Sequence, residues 1–283
     1  MTGVLTLLHA PLGQPGSGRL RYGAAMALWR EGVISSEVLE VYRVAAAHDA
    51  RDPLDVLAER GLPLPPAARV DLPLRRLYGA ARDYLLRLHH PGAAEVRAGL
   101  PADPGPGRAM TPRPNAVAER WLPEACGLLS ASEPMLADAI GAASGALSWI
   151  TYDAYPRATI GEAFAAGHCF APILGGDAPF AAADFELGLF LIAPNVLYRD
   201  HRHAAPELYA PLTGPHGWRF RAGRPLIVKP AHQPVWNPPH QSHLTKVGAV
   251  PFLSLFVWTR DVNQAAQVIP ADDWATLEGL AIG

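Results

Sequence analysis

Cysteine is nearly absent from this sequence: Cys126 and Cys169 are the only two among 283 residues. Two thiols cannot build a disulfide framework, and burial in a reduced interior accounts for both. Charge is also sparse. Asp, Glu, Lys and Arg make up 18% of the chain, the formal net charge is −2, and Lys and Arg nowhere form a dense cluster. A protein that tracks phosphates needs a basic patch, so neither a nucleic-acid partner nor an anionic membrane is expected. No uninterrupted apolar run reaches spanning length, which speaks against a membrane-integral chain. Residues 1–23 hold a short apolar run, but no basic residue precedes it and no small-residue cleavage site follows. That is a poor signal peptide, and a cytoplasmic location is expected. What is plentiful is hydrophobic sequence, at 49%. This length and composition suffice to fold by burial, as one large domain or two smaller ones.

The first hundred residues read as helical. Apolar positions recur at helical spacing from Leu20 to Trp29 and through Val38, Val41, Tyr42 and Ala45, with Ser35 or Ser36 as the cap of the second helix. Asp52 followed by Pro53 is a cap with proline at the first helical position, and Gly61 ends that short helix. Leu74, Leu77, Tyr78, Ala81, Leu85 and Leu88 mark a longer amphipathic helix. Residues 101–115, PADPGPGRAMTPRPN, lack the donors and stiffness of a regular element and read as a linker. Two more helices follow within 116–148, roughly Ala116 to Leu129 and Glu133 to Ala143, with Ser130 or Ser132 capping the second. From 149 to 283 the character changes. Short aromatic and β-branched runs (SWITYDAYP, FELGLFLIAP, HGWRF, PLIVK, VPFLSLFVW) alternate with Pro, Gly and Asp. That pattern predicts an antiparallel β sandwich or barrel, so the fold class is mainly β with an α-helical N-terminal part.

Six of the 11 histidines, namely His201, His203, His216, His232, His240 and His243, fall in this β-rich part. His201 and His203 are two apart, so on a strand both rings share a face. Glu207 lies close by, and a second strand brings back a later histidine near position 243. Three imidazoles and a carboxylate suit a divalent ion such as Zn, Fe, Mn, Ni or Co.

The spacing His-x-His, three residues, Glu207, six residues, Gly214 resembles the first signature motif of the cupin superfamily. Cupins are small jelly-roll β-barrels, and the resemblance implies His201, His203, Glu207 and His243 as metal ligands. The second cupin motif is weaker: His240 stands where a glycine is usual, no clear Asn follows His243, and His240 competes for the ligand place. His243 is preferred because it directly precedes the strand LTKV and sits at the better spacing from PFLSLFVW. Tyr198 and Tyr209 complete the pattern Tyr-x-x-His-x-His-x-x-x-Glu-x-Tyr. That pattern, with LGLFLIAPNVLY, HLTKVGAVPFLSLFVWTRDV and YDAYPRATIGEAF, resembles the cupin-type dimethylsulfoniopropionate (DMSP) lyases. The resemblance covers roughly Trp149 to Val262. It implies cleavage of a sulfonium zwitterion to dimethyl sulfide and acrylate.

These residue types also suit the chemistry. Elimination removes a weakly acidic proton beside a carboxylate, which a metal acting as Lewis acid assists. A tyrosine near a divalent cation can serve as base, and strand alternation puts Tyr209 on the face of Glu207. Tyr198 is the alternative base or an orienter. Tyr152, Tyr155, Phe190, Trp218, Trp236 and Trp258 are candidates for an aromatic wall around a sulfonium, with core packing as the plainer role for each. Arg157, Arg202 and Lys246 are candidates for the substrate carboxylate, and Asp261 for closing a turn. Two other readings fit the ligand set: another metal-dependent cupin enzyme, an isomerase or oxygenase, and a non-catalytic small-molecule sensor. The expected partner is a small β-substituted carboxylate, and exposed barrel strands offer a surface for a homodimer.

Overall fold

The computed structural model describes residues 4, 7, 8, 10, 12–65, 72–105, 107, 108 and 110–282. Positions 106 and 109 of the proline-rich segment, and most of the first eleven residues, lie outside the described residues. The chain divides into two compact units, Met1–Leu72 and Pro73–Gly283.

The first unit is a small helical body of α1 (Ser17–Arg30), α2 (Ser36–Ala45) and α3 (Pro53–Glu59). Ser35 caps α2 by accepting from the Val38 N–H at 3.3 Å, and Asp52 caps α3 by accepting from Leu54 at 2.8 Å. Each satisfies a donor that the first helical turn would otherwise leave bare. The apolar stripe of α2 (Val38, Val41, Tyr42) packs with Ala24, Leu28 and Leu57 into a core of its own.

The second unit begins with four helices, α4 (Leu72–Leu86), α5 (Ala93–Gly99), α6 (Ala116–Leu129) and α7 (Pro134–Ala143). The cap expected for α7 is different. Glu133 precedes Pro134 at the first helical position, while the Ser130 and Ser132 hydroxyls donate back to the carbonyls of Gly127 and Leu129. Those serines close α6 instead of opening α7.

Eleven strands follow among the described residues: β1 (His168–Gly175), β2 (Phe180–Ala181), β3 (Glu186–Ile192), β4 (Leu197–Arg202), β5 (Glu207–Pro211), β6 (His216–Arg219), β7 (Ile227–Lys229), β8 (Val235–Asn237), β9 (His243–Lys246), β10 (Phe252–Trp258) and β11 (Gln267–Val268). They form two sheets, one ordered β2-β1-β3-β10-β5-β8 and the other β11-β4-β9-β6-β7. All ladders are antiparallel except β1 with β2. The expected cupin jelly roll is therefore present as two sheets. Among the described residues no ladder joins them into a closed barrel.

One strand expectation needs correction, and one strand was not expected. SWITYDAYP contributes only isolated bridges at Ser148 and Ile150, because Pro156 turns the chain into two short helices, α8 (Arg157–Ile160) and α9 (Glu162–Gly167). Conversely, HCFAPILG is a full strand. Its Pro172 would ordinarily argue against that, but it sits at the register break between Pro172 and Leu174, where a ladder hydrogen bond is already missing.

The six-stranded sheet has two unlike faces. Leu187, Leu189, Leu191, Leu253, Leu255 and Val257 alternate onto the outer face, under Leu77, Leu85, Leu122, Leu129 and Ile140 of the helices. The inner face carries Phe190, Ile192, Tyr209, Phe252 and Phe256, which pack with Ile160 and Phe164 from α8 and α9. A last helix, α10 (Trp274–Glu278), lies against β4. It is tied there by a partly buried network in which Arg219 pairs with Asp200 and Asp273, and the Trp274 indole donates to Asp200 at 2.8 Å. No helix among the described residues is long and apolar enough to cross a membrane.

Candidate active site

The inner face converges on three buried histidines. His201 on β4 and His243 on β9 are directly paired across the ladder, with ring centroids 4.0 Å apart. His203 lies one residue past the end of β4, its ring centroid 5.1 Å from that of His243. One imidazole nitrogen from each of the three comes within 4.8 Å of the others. Each ring is oriented by the backbone. Nδ1 of His201, His203 and His243 faces the carbonyl of Arg199, Ala205 and Gln241 at 2.9, 2.7 and 2.9 Å. A carbonyl only accepts, so each Nδ1 carries a proton and each ring turns its Nε2 toward the site. Burial, then His243 and His203, holds His201 well below its ordinary pKa, which keeps it neutral.

Glu207, the first residue of β5, borders this trio. Its Oε2 is 3.2 Å from His203 Nε2 and 3.3 Å from His243 Nε2. The His243 nitrogen nevertheless makes no hydrogen bond and is fully buried. Oxygen Oε1 accepts from the Trp258 indole at 2.8 Å, and Oε2 accepts from the Asn237 amide at 3.0 Å. Burial opposes a charge on Glu207, but His203 and His243 outweigh it, so the carboxylate stays ionised well below its usual range. Three oriented Nε2 atoms, that of His243 orphaned in a dry interior, beside an ionised carboxylate are a donor set that fits a divalent ion.

His240 stands apart. It is exposed, its backbone takes φ 59° in a turn, and its N–H donates to the His203 carbonyl at 2.8 Å. That left-handed conformation favours glycine.

Tyr209 follows Glu207 by two residues and is buried on the same face, against Phe190 and Trp218 at 6.1 and 5.6 Å. Tyr198 reaches the site by a less regular route. Alternation alone would put Tyr198 and His201 on opposite faces, but the β4–β9 register shifts between them. The bulge stacks the two rings at 3.8 Å. The Tyr198 and Tyr155 hydroxyls are 3.1 Å apart. Burial pushes the Tyr209 hydroxyl well above the tyrosine range, and Glu207 adds to it. Burial does the same to Tyr198 and Tyr155.

A cavity of about 400 Å³ opens beside Glu207, Tyr209 and Tyr198. Of the aromatic candidates, Tyr152, Tyr155, Phe190 and Trp258 line it. Trp218 is wholly buried behind Tyr209, and Trp236 packs with the helical core. None of the three cationic candidates lines it. Arg157 pairs with Glu162 at the surface, Arg202 is exposed, and Lys246 donates to the carbonyls of Asn195 and Glu278 at 2.7 Å. Asp261 closes a turn by accepting from the Gln264 N–H. Sequence reasoning missed Asn237, Glu186 and His168. Asn237 stood next to the noted Trp236, but only the β5–β8 register, Glu207 opposite Asn237, gives it a role.

Two sheets enclosing a histidine trio and a carboxylate define a protein of the cupin fold. The family model described as dimethylsulfoniopropionate lyase matches residues 113–254, half of the chain, and the chain belongs to that family. Two solved structures share the fold. A chain from the crystal structures of the DMSP lyases RdDddP and RnDddQII is 21% identical with a TM-score of 0.56, the match covering 71% of this chain and 100% of that one. DMSP lyase DddQ from Ruegeria pomeroyi DSS-3 is 20% identical with a TM-score of 0.54, over 71% and 98%. No curated protein matches the sequence.

Proposed function

We propose that this protein is a metal-dependent carbon–sulfur lyase that cleaves DMSP to dimethyl sulfide and acrylate, with Tyr209 as the base. The observation that carries the reading is that three oriented, buried histidines border Glu207, which with the buried Tyr209 lines a cavity whose described lining holds no lysine or arginine. A divalent ion of the Zn, Fe, Mn, Ni or Co type, held by His201, His203, His243 and Glu207, would supply Lewis acidity to the substrate carboxylate and favour the Tyr209 phenolate.

The remaining work falls to the chain itself. The phenolate of Tyr209 takes the proton from the carbon beside the carboxylate. The electrons of that C–H bond form the new C=C bond as the C–S bond breaks, and sulfur leaves as neutral dimethyl sulfide. Left alone, the protein opposes a Tyr209 phenolate, since burial and Glu207 both raise its pKa. Base activity is therefore tied to metal loading. Tyr198, held between Phe164 and His201 and facing the Tyr155 hydroxyl, orients the substrate from the side. The aromatic lining excludes water from the carbanion-like centre and presents π faces to the sulfonium.

The test is gas-chromatographic detection of dimethyl sulfide from the purified protein given DMSP, run beside metal analysis. Wild type is expected to hold one equivalent of metal and release the gas, and His203→Ala to lose both. A metal-loaded wild type that releases no gas refutes the substrate assignment.

A further inference from the structure

Glu186 is a cavity residue that the elimination does not use. It begins β3, and the register sets it opposite Trp258 on β10, which in turn lies opposite Glu207 on β5. Glu186, Trp258 and Glu207 thus form one row across the inner face, with the indole between two carboxylates. At ordinary strand spacing the two glutamate backbones stand roughly 10 Å apart. The carboxylates have opposite fortunes. Glu207 is held by Trp258, Asn237 and His203, whereas Glu186 has no hydrogen bond or ion pair among the described residues.

Its surroundings are apolar and aromatic, with Tyr152, Phe170, Phe256 and Trp258 in the same lining. Gly188, the next inward position of β3, keeps the wall tight: a Cβ there would stand 2.5 Å from the Phe256 ring. The exposed Asp177 also lines the cavity and adds a second negative charge. Burial, then Asp177, then Glu207, raises the Glu186 carboxyl to about 7. An unpaired, partly desolvated carboxylate among acidic neighbours is costly, and a fixed cation in the cavity relieves that cost. A sulfonium or quaternary ammonium group has no hydrogen to donate, so counter-charge and π faces are the means left to recognise it.

We infer that Glu186 is the specificity residue of this cavity: the counter-charge that selects short carboxylates bearing a permanently charged onium group at the β-position over isosteres with an uncharged group there. This deepens the lyase reading and rests on it for the placement of the substrate carboxylate.

The test uses metal-loaded protein and two probes of one shape: 3-(trimethylammonio)propanoate and its carbon isostere without the positive charge, 4,4-dimethylpentanoate. Calorimetry compares their binding to wild type, Glu186→Gln and Glu186→Asp, and KM and kcat for DMSP are measured in parallel. Wild type is expected to prefer the onium probe by about tenfold or more. Glu186→Gln should bring the two probes to within about twofold, by losing onium affinity with little change for the carbon isostere. KM for DMSP should rise by about tenfold with kcat little altered, and Glu186→Asp should keep part of the preference. A wild type without preference, or a Glu186→Gln variant that keeps it, overturns the inference even if dimethyl sulfide is released. A preference abolished by Glu186→Gln in a protein that releases no gas leaves the onium site standing and the lyase reading fallen.

Discussion

The two faces of the six-stranded sheet are made by alternate residues of the same strands, yet they have different chemistry. Outward, β3, β10 and β5 present Leu187, Leu189, Leu191, Leu253, Leu255, Val257 and Leu208, all buried against helices. Inward, the same strands present Glu186, Phe190, Ser254, Trp258, Glu207 and Tyr209. Side chains alternate with a period of two, so a single strand serves both needs. The outer face supplies burial that offsets the desolvation of charged and polar groups on the inner one. Mutations on the two faces should therefore separate cleanly into effects on stability and effects on chemistry.

The sharpest separation is expected at Tyr209. Tyr209→Phe should lower the rate of gas release by about 10²- to 10⁴-fold, with metal content and melting temperature close to wild type. If that variant keeps its rate, the base lies elsewhere. The matching change on the outer face is Leu255→Ala. It should cost about 2–5 kcal/mol in denaturant unfolding, while the folded fraction keeps its metal and its turnover. A large drop in turnover per folded molecule would break the division between the faces.

Acid separates the space between the sheets from the outer face by another route. Burial holds His168 and His216 down to about 4, so both are neutral in the folded state. Their unfolded pKa is about 6.5. Each group's pKa is lower folded than unfolded, so its contribution is whole above pH 6.5 and is lost as pH falls from there toward 4. The loss reaches about 3 kcal/mol per histidine, read as the fall in unfolding free energy across that window. Replacing either by Gln should flatten the acid limb, whereas an outer-face substitution shifts the curve without changing its slope. A smaller effect is expected at Trp258. Trp258→Phe keeps the aromatic surface but removes the donor to Glu207, and metal affinity should fall by about tenfold in a competition with a chelator.

Much of this was legible in the residues. The spacing of His201, His203 and Glu207 singles them out in the chain, and the later histidine follows from the need for a second strand. Tyr209 is on the Glu207 face by simple alternation. Other features depend on information that spacing does not carry. The place of Tyr198 relies on a β-bulge, which inverts the face that alternation assigns. His203 lies beyond its strand, so its approach to His243 is set by the Ala204–Pro206 turn rather than by the pleat. Asn237 and Glu186 gain roles only from the register of β5 with β8 and of β3 with β10, and register is a property of paired strands. The strand at His168–Gly175 carries Pro172, a residue that argues against a central strand, and its missing donor is harmless only at the break in the ladder. The helical N-terminal unit, by contrast, is regular enough that Ser35, Asp52 and Pro53 mark its helix starts directly.

The reaction proposed for the inner face is a tyrosine-driven elimination from a metal-anchored carboxylate. Its most direct test is the joint quantification of dimethyl sulfide and acrylate formed from DMSP by metal-loaded wild type and metal-loaded Tyr209→Phe. The account predicts equimolar products from wild type and a loss of about 10² or more in the variant at unchanged metal content. Equal rates from the two proteins, or dimethyl sulfide without matching acrylate, would contradict it.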